Sequence, residues 1–396
     1  MWIDRDFSSR VQEVAGYFPA LLLTGPRQVG KTALLRRLFP EAGYVTFDDL
    51  ALARQAETQP GAFLDAQATP LILDEVQYVP GLFRHLKRRL DADPRPGSYL
   101  MTGSQSLPLM EGVAESLAGR VGLLELSTLS FPEVQRALPR TTEEEYLLRG
   151  GFPRLWTGPA VPPGDFYAAY VATYLERDVR NLKAVGELRD FDRFLRAAAL
   201  RTGQLLSYAD LARDVGIAPN TAKAWVSVLV ASGQVILLEP YHRSLGKRLT
   251  KSPKLYFVDA GLACHLLGLT REPRALLASP LAGPLFETYV VGQVIRHLQG
   301  AKERSPLWFF RTAAGDEVDL LIEHGGRFTA IECKLAEAPG SEALRGFRSL
   351  AALYGEPAVE RALVACRTPH SYVIPGFGKG RRAATALSTS ALVAAL

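Results

Sequence analysis

A chain of 396 residues with 47% hydrophobic and 22% charged residues is too long for one ordinary core and too apolar for intrinsic disorder, so two to four globular domains are expected. Its net charge of +5 is mildly basic, compatible with nucleic acid but too weak to demand it. Cys264, Cys333 and Cys366 fit neither a disulfide framework nor a metal-ligand spacing and point to a reducing cytosol, the start MWIDRDFSSR lacks the apolar core of a signal peptide, and no apolar run is long enough to span a bilayer.

Ala20–Leu23 reads as a buried strand. It runs into Gly25, Pro26, Arg27, Gln28, Val29, Gly30, Lys31 and Thr32, a complete G-x-x-x-x-G-K-[ST] pattern, and a helix follows with apolar spacing over Ala33–Phe39. Strand, glycine loop and helix in that order make a phosphate loop. The two glycines bring backbone N–H groups to phosphate oxygens, and the helix start adds its positive dipole end. Lys31 would reach the β- and γ-phosphates, and the Thr32 hydroxyl would ligate Mg²⁺.

Tyr44–Phe47 is expected as a second strand, and Leu71–Leu73 as a third that ends in Asp74 and Glu75. After a phosphate loop, these acids would hold Mg²⁺ through water (Asp74) and orient the attacking water (Glu75). A fourth strand over Gly97–Thr102 leads to Ser104 and Gln105, where a polar side chain would contact the γ-phosphate or the lytic water; a plain loop is the other reading. Arg120, in Leu-Ala-Gly-Arg, would either stabilise phosphate charge in a neighbouring subunit or sit solvated at the surface. Gly150–Arg154 makes a rigid turn, with Arg154 a nucleotide sensor or the turn a simple joint.

Pro159, Pro162, Pro163 and Gly164 mark a loop before a long helix, Phe166–Leu182, whose Arg177 reads as part of a solvated, ion-paired face. From Leu205 to Val230 the pattern is helix-turn-helix. Ser207 caps a helix over Tyr208–Asp214, Gly216 makes the turn, and Pro219 opens a second helix in which Ala222, Trp225, Val226, Leu229 and Val230 follow helical spacing. Gly233–Leu238 then resembles the first strand of a wing. The usual docking aims Asn220, Thr221 and Lys223 at a major groove. Arg243, Lys247, Arg248, Lys251 and Lys254 form an acid-free wing that would contact phosphates. A protein contact or a lid on the first domain is the competing use of such a module.

In the last third, Glu287 lies on a helix over Pro284–Leu298, and strands are expected at Leu307–Arg311, Glu317–Ile322 and Phe328–Lys334. Asp319 and Glu332 then fall on adjacent antiparallel strands, with Lys334 on the face of Glu332 and Cys333 turned into the core. Paired carboxylates with a nearby lysine can hold Mg²⁺ for phosphodiester chemistry. The D…E-x-K pattern, with Glu287 as a helical acid, is similar to that of restriction-endonuclease-like nucleases. An inactive relic of that fold is the other reading. A helix near Ser341–Leu353 and a strand at Ala362–Cys366 complete an α/β layer.

Taken together, GPRQVGKT, LILDEVQ, MTGSQS and SLAGRV, and downstream GGFPRLW, YLERDVRNL, KLYFVDAGLACHLLG, GPLFETYVV and GDEVDLLIE…AIECK, resemble the bacterial and archaeal AAA-superfamily ATPases that carry a C-terminal domain of unknown function 4143. The resemblance implies an α/β, parallel-sheet P-loop ATPase core over residues 1–138, ATP with Mg²⁺ as cofactors, and self-association into a homo-oligomer. It departs at the fourth strand tip, where Ser104 or Gln105 stands in place of the common sensor asparagine. The remaining chain divides into a helical linker or lid (139–200), a winged helix (201–270) and a nuclease-like α/β domain (271–396). The expected activity is Mg²⁺-dependent ATP hydrolysis coupled to DNA binding or processing in the cytoplasm. The rival is a nucleotide-gated protein-interaction switch with an inactive nuclease-like domain.

Overall fold

A computed structural model describes residues 1–103, 112–113, 115–175, 188–241, 252–269, 272–302 and 305–396. Ser104, Gln105, Arg177, Arg243, Lys247, Arg248 and Lys251 lie outside the described residues.

The first third is a five-stranded sheet of β1 (Ala20–Thr24), β2 (Gly43–Thr46), β3 (Leu71–Asp74), β4 (Tyr99–Thr102) and β5 (Val121–Glu125). Its order is β2-β3-β4-β1-β5 and every pair is parallel. β1, β3 and β4 are buried along their whole length, which is why they read as continuous apolar runs rather than alternating ones. Helices α1 (Ser8–Ala15) and α2 (Lys31–Leu38) pack Val11, Val14, Leu34 and Leu35 against one face, and α3 (Leu82–Ala92) places Leu82, Phe83, Leu86 and Leu90 on the other. The phosphate loop and Asp74 therefore sit at the carboxyl ends of parallel strands, where open α/β sheets bind ligands. β5 was not readable in the sequence. Only Gly122 and Leu124 of β5 are buried.

The middle of the chain is mostly helical. α4 (Phe131–Ala137) opens on a capping box between Ser130 and Glu133. It is followed by α5 (Glu143–Arg149) and α6 (Pro163–Tyr170), after which the chain widens into a π turn over Val171–Leu175. α7 (Leu188–Ala199) leads to a small antiparallel sheet, β6 (Gln204–Leu205), β7 (Val235–Leu238) and β8 (Lys254–Phe257), in the order β6-β8-β7. Between them stand α8 (Tyr208–Val215) and α9 (Pro219–Ala231). Ser207 accepts from the backbone N–H of Asp210 at 3.2 Å, and Gly216 is left-handed at φ 85°. Ala222, Trp225, Val226 and Leu229 are buried, whereas Val230, in the last turn, is exposed, and Trp225 packs edge-on against Phe191 and Phe194 of α7.

Beyond α10 (Ala260–Leu266), the long helix α11 (Ala282–Gly300) runs beneath a six-stranded mixed sheet. Its strands are β9 (Leu307–Arg311), β10 (Glu317–His324), β11 (Arg327–Cys333), β12 (Val359–Ala365), β13 (Tyr372–Val373) and β14 (Thr385–Leu387), in the order β13-β14-β12-β11-β10-β9. α12 (Arg345–Tyr354) and α13 (Thr389–Ala395) complete this layer. One apolar core continues from Ile3, Leu21 and Leu23 through Phe131, Tyr146 and Tyr167 to Val290, Leu320 and Ile331. The C-terminal sheet is thus docked onto the first domain through α11 and not hung from a linker.

Candidate functional site

The loop after β1 folds as its composition requires. Gly25 sits at φ 133°, and a Cβ there would stand 2.2 Å from the carbonyl oxygen of Leu126, so only glycine lets the loop cross the end of β5. Gly30, left-handed at φ 93°, turns the chain into α2. Lys31 is 6% exposed and its Nζ donates to the carbonyls of Gly25 at 3.0 Å and Pro26 at 2.9 Å. Burial pulls this ammonium down to about 8, and Glu75 and Asp74 oppose the shift. The cation is therefore held over the loop's own backbone, within the span where a bound phosphate oxygen would replace those carbonyls.

Thr32 donates from Oγ1 to Asp74 Oδ1 at 2.5 Å. The same oxygen accepts from Thr102, and Tyr44 donates to Oδ2 at 3.0 Å. A 5%-exposed carboxylate is thus aimed at the hydroxyl that opens α2. Glu75, next in line, is left-handed at φ 59°, a strained position for a residue with a side chain. Its N–H is tied to Thr102 Oγ1 at 3.2 Å, and its carboxylate pairs with Gln77. A serine or threonine hydroxyl, an acid and a second acid in this arrangement are a fitting donor set for a nucleotide-bound Mg²⁺.

Arg5 was not singled out by its sequence context. It is 9% exposed and donates to the carbonyls of Val29 in the phosphate loop (3.1 Å), Ser127 (2.7 Å) and Thr128 (3.3 Å), while its Nε meets Glu133 at 3.3 Å. Thr128 in turn donates to Asp259 Oδ2 at 3.2 Å and receives Arg296 Nη2 at 2.6 Å. Asp259 also accepts from the N–H of Gly151 (2.8 Å), Tyr167 (2.7 Å) and the N–H of Leu262 (3.1 Å). The Gly150–Arg154 turn is therefore a junction: its Gly151 is bonded to Asp259, and its Pro153 lies beside Gly30, 4.0 Å from where a Cβ on that glycine would stand. Arg154 donates to the carbonyls of Thr157 and Pro159, which fastens the turn itself.

Arg120 stands at the start of β5, half-exposed, paired with Asp91 and donating to the Ala118 carbonyl at 3.0 Å. Within this chain it binds those surface partners. Asn220 and Lys223 are exposed and Thr221 is half-buried at the start of α9. Lys254 departs from the expected phosphate-contacting surface: it is 2% exposed, because it begins β8 and points into the C-terminal domain.

There, β10 and β11 pair with Leu320 opposite Ile331, so Asp319 and Glu332 are neighbours across the strands, as the spacing predicts. The side chains group differently from the expected set of Glu287, Asp319, Glu332 and Lys334. Glu287, Glu317 and Asp319 converge, with Lys254 at their centre. Glu332 turns to Lys334 at 2.6 Å. Glu317 was missed because it precedes Asp319 by two residues and read as a strand start; same-face alternation was the available signal. Cys333 is half-buried, and its N–H donates to Asp319 Oδ2 at 2.8 Å.

A complete phosphate loop at the end of a parallel strand, with a strand-tip acid bonded to its threonine, defines a P-loop ATPase fold. Three family models match along the chain: an AAA domain over residues 17–135, a domain of unknown function (DUF8612) over 140–273 and a domain of unknown function (DUF4143) over 282–381. Uncharacterized proteins of Mycobacterium tuberculosis and Mycobacterium bovis are each 34% identical over 339 residues, which is 85% of this chain and 74% of theirs. The chain belongs to this family of AAA-domain proteins with a C-terminal domain of unknown function 4143. Among solved structures, a Walker-type ATPase of Pyrococcus abyssi aligns with a TM-score of 0.42 at 18% identity, covering 67% of this chain and 96% of that one. AMPPCP-bound DnaA of Aquifex aeolicus aligns with a TM-score of 0.31 at 14% identity, covering 57% and 85%. Among the described residues, no helix is long and apolar enough to cross a membrane.

Proposed function

We propose that the chain binds ATP with Mg²⁺ at Gly25–Thr32 and hydrolyses it, and that nucleotide state is relayed to DNA bound by the middle of the chain. The single observation that supports hydrolysis most is the bonded pair of Thr32 and Asp74 beneath Lys31. Bound Mg²⁺ would neutralise charge on the β- and γ-phosphates. Thr32 and Asp74 would hold it, Asp74 through water. Lys31 would leave the Gly25 and Pro26 carbonyls and move to the phosphate oxygens. Glu75, fixed by Thr102 and Gln77, would orient the attacking water and accept its proton; Gln105 is assigned the γ-phosphate contact by position alone. Arg120 would serve a neighbouring subunit's site in a homo-oligomer.

On the DNA side, α8, α9 and the small sheet are read as a winged helix with Asn220, Thr221 and Lys223 toward the groove and Arg243, Lys247, Arg248 and Lys251 toward phosphates. Exposure of Asn220 and Lys223 supports that reading. A second reading, a nucleotide-gated protein-interaction switch with an inactive nuclease-like domain, is favoured by the ammonium of Lys254 inside the acidic cluster.

ATP binding and turnover by Lys31→Ala and Glu75→Gln test the first part. Lys31→Ala should lose binding, whereas Glu75→Gln should bind and not turn over; wild-type turnover in both sinks it. Affinity for duplex DNA should fall steeply with salt and weaken in Lys223→Ala. Absence of binding at low salt leaves the switch.

A further inference from the structure

Glu287 of α11 and Glu317 and Asp319 of β10 each offer a carboxylate oxygen within 4.8 Å of the other two. A cage of that size suits a cation, and this one already holds one that the chain supplies. Lys254 Nζ donates to Glu287 Oε1 at 2.8 Å and Asp319 Oδ1 at 3.2 Å and pairs with Glu317 Oε1. An ammonium has three N–H donors; two are given to Glu287 and Asp319, and Glu317 is paired by charge.

Two of the second oxygens are engaged as well: Cys333 N–H donates to Asp319 Oδ2 and Arg311 pairs with Glu317 Oε2. Tyr256 donates to Glu287 Oε1 at 2.6 Å, the oxygen that Lys254 also uses. A divalent ion 2.0–2.6 Å from the same oxygens would need the point that Nζ occupies. The cluster as folded therefore does not fit a metal. Next to it, Glu332 Oε2 is buried without a hydrogen-bond partner among the described residues, and Glu287, Asp319 and Glu332 line an open cavity of about 620 Å³.

We propose that Lys254 is a built-in cation that closes this acidic cage to divalent metal, an intramolecular lock carried by β8 of the helix-turn-helix module. Three carboxylates face Lys254 and Arg311, which leaves one net negative charge. Removing the Lys254 ammonium raises it to two and empties the cage, so the metal-binding form is reached only when that cation leaves. The lock joins β8 to the C-terminal domain by charge.

The test is Mn²⁺ binding by the full chain without nucleotide, followed by electron paramagnetic resonance. Wild type and Asp319→Asn should bind Mn²⁺ identically, since the cage is shut in both. Lys254→Gln should gain a site at least tenfold tighter than any wild-type binding, and Lys254→Gln with Asp319→Asn should lose it. A wild-type site abolished by Asp319→Asn overturns the proposal, as does a folded Lys254→Gln protein that gains nothing. Where Lys254→Gln does not fold, the comparison of wild type with Asp319→Asn decides: equal binding supports the lock, and a lost site refutes it.

Discussion

Arg5 Nη1 donates to the carbonyl oxygen of Val29 at 3.1 Å, so a residue ahead of the first strand fixes the back of the phosphate loop. The same guanidinium spans to Ser127 and Thr128 and balances Glu133, whose side chain is 5% exposed. Arg5→Ala would leave that carboxylate buried without its cation, at a cost of about 3–5 kcal/mol. Arg5→Lys keeps the charge but cannot fork to four acceptors. The expected result is partial recovery of stability in urea with ATP affinity still reduced several-fold, read with a fluorescent ATP analogue. Wild-type affinity in Arg5→Lys would show that the clamp does not position the loop.

Gly25 and Gly216 both have positive φ, yet they differ in surroundings. At Gly25 an added Cβ meets Leu126 O at 2.2 Å, whereas at Gly216 nothing among the described residues lies within 4 Å. Gly216→Ala should therefore cost only the left-handed penalty, about 1 kcal/mol. Gly25→Ala adds a clash with backbone and should cost more than about 2 kcal/mol while abolishing ATP binding. Denaturant unfolding of the two variants side by side, with ATP titration, checks this. Equal costs would place the loop away from β5.

The contrast explains what the sequence disclosed. The phosphate loop, Asp74 and the helix-turn-helix caps are local devices: each depends on residue types within about eight positions, and each formed where its pattern stood. Arg5, Asp259 and Lys254 act across 24 to 131 positions; the helix cap that Asp259 gives Leu262 is local, but the distant partners leave no mark in the neighbouring residues. Lys254 is the instructive case. It sits in a basic run that reads as solvent-facing, but β8 is buried along its whole length and the acids of α11 and β10 receive its ammonium. Burial with three carboxylates overrode the preference of lysine for water.

Asp259, 3% exposed, collects four hydrogen bonds from Gly151, Tyr167, Leu262 and Thr128, with Arg296 Nη2 at 3.9 Å. It joins the turn after α5, the strand-to-helix step before α10, and α11. Asp259→Ala strands these donors and a buried guanidinium, so a loss of about 3–5 kcal/mol is expected. Asp259→Asn retains one acceptor and should lose less. Urea midpoints for both variants measure the difference; an unchanged midpoint in Asp259→Ala would remove the residue from the junction.

Glu143 links stability to pH. It lies in the first turn of α5 and accepts from Thr389 Oγ1 of α13 at 3.3 Å. Burial pushes its carboxyl from 4.5 up to about 7, and the charge of Glu144 adds to the rise. The folded chain then keeps a proton that the unfolded chain releases above about 4.5, so this residue favours folding at low pH. That contribution is lost as pH rises from about 4.5 through about 7, and little changes beyond. Glu143→Gln is neutral throughout and keeps an acceptor for Thr389. It should flatten the pH dependence in that window and be more stable than wild type at pH ~8 by about 1–3 kcal/mol, the full linkage being reduced by the part of the side chain that water reaches. Unfolding free energies at pH ~5 and ~8 for both proteins give the slope directly. Identical slopes would mean that Glu143 is ionised in the folded chain and that α13 docks on α5 without help from a proton.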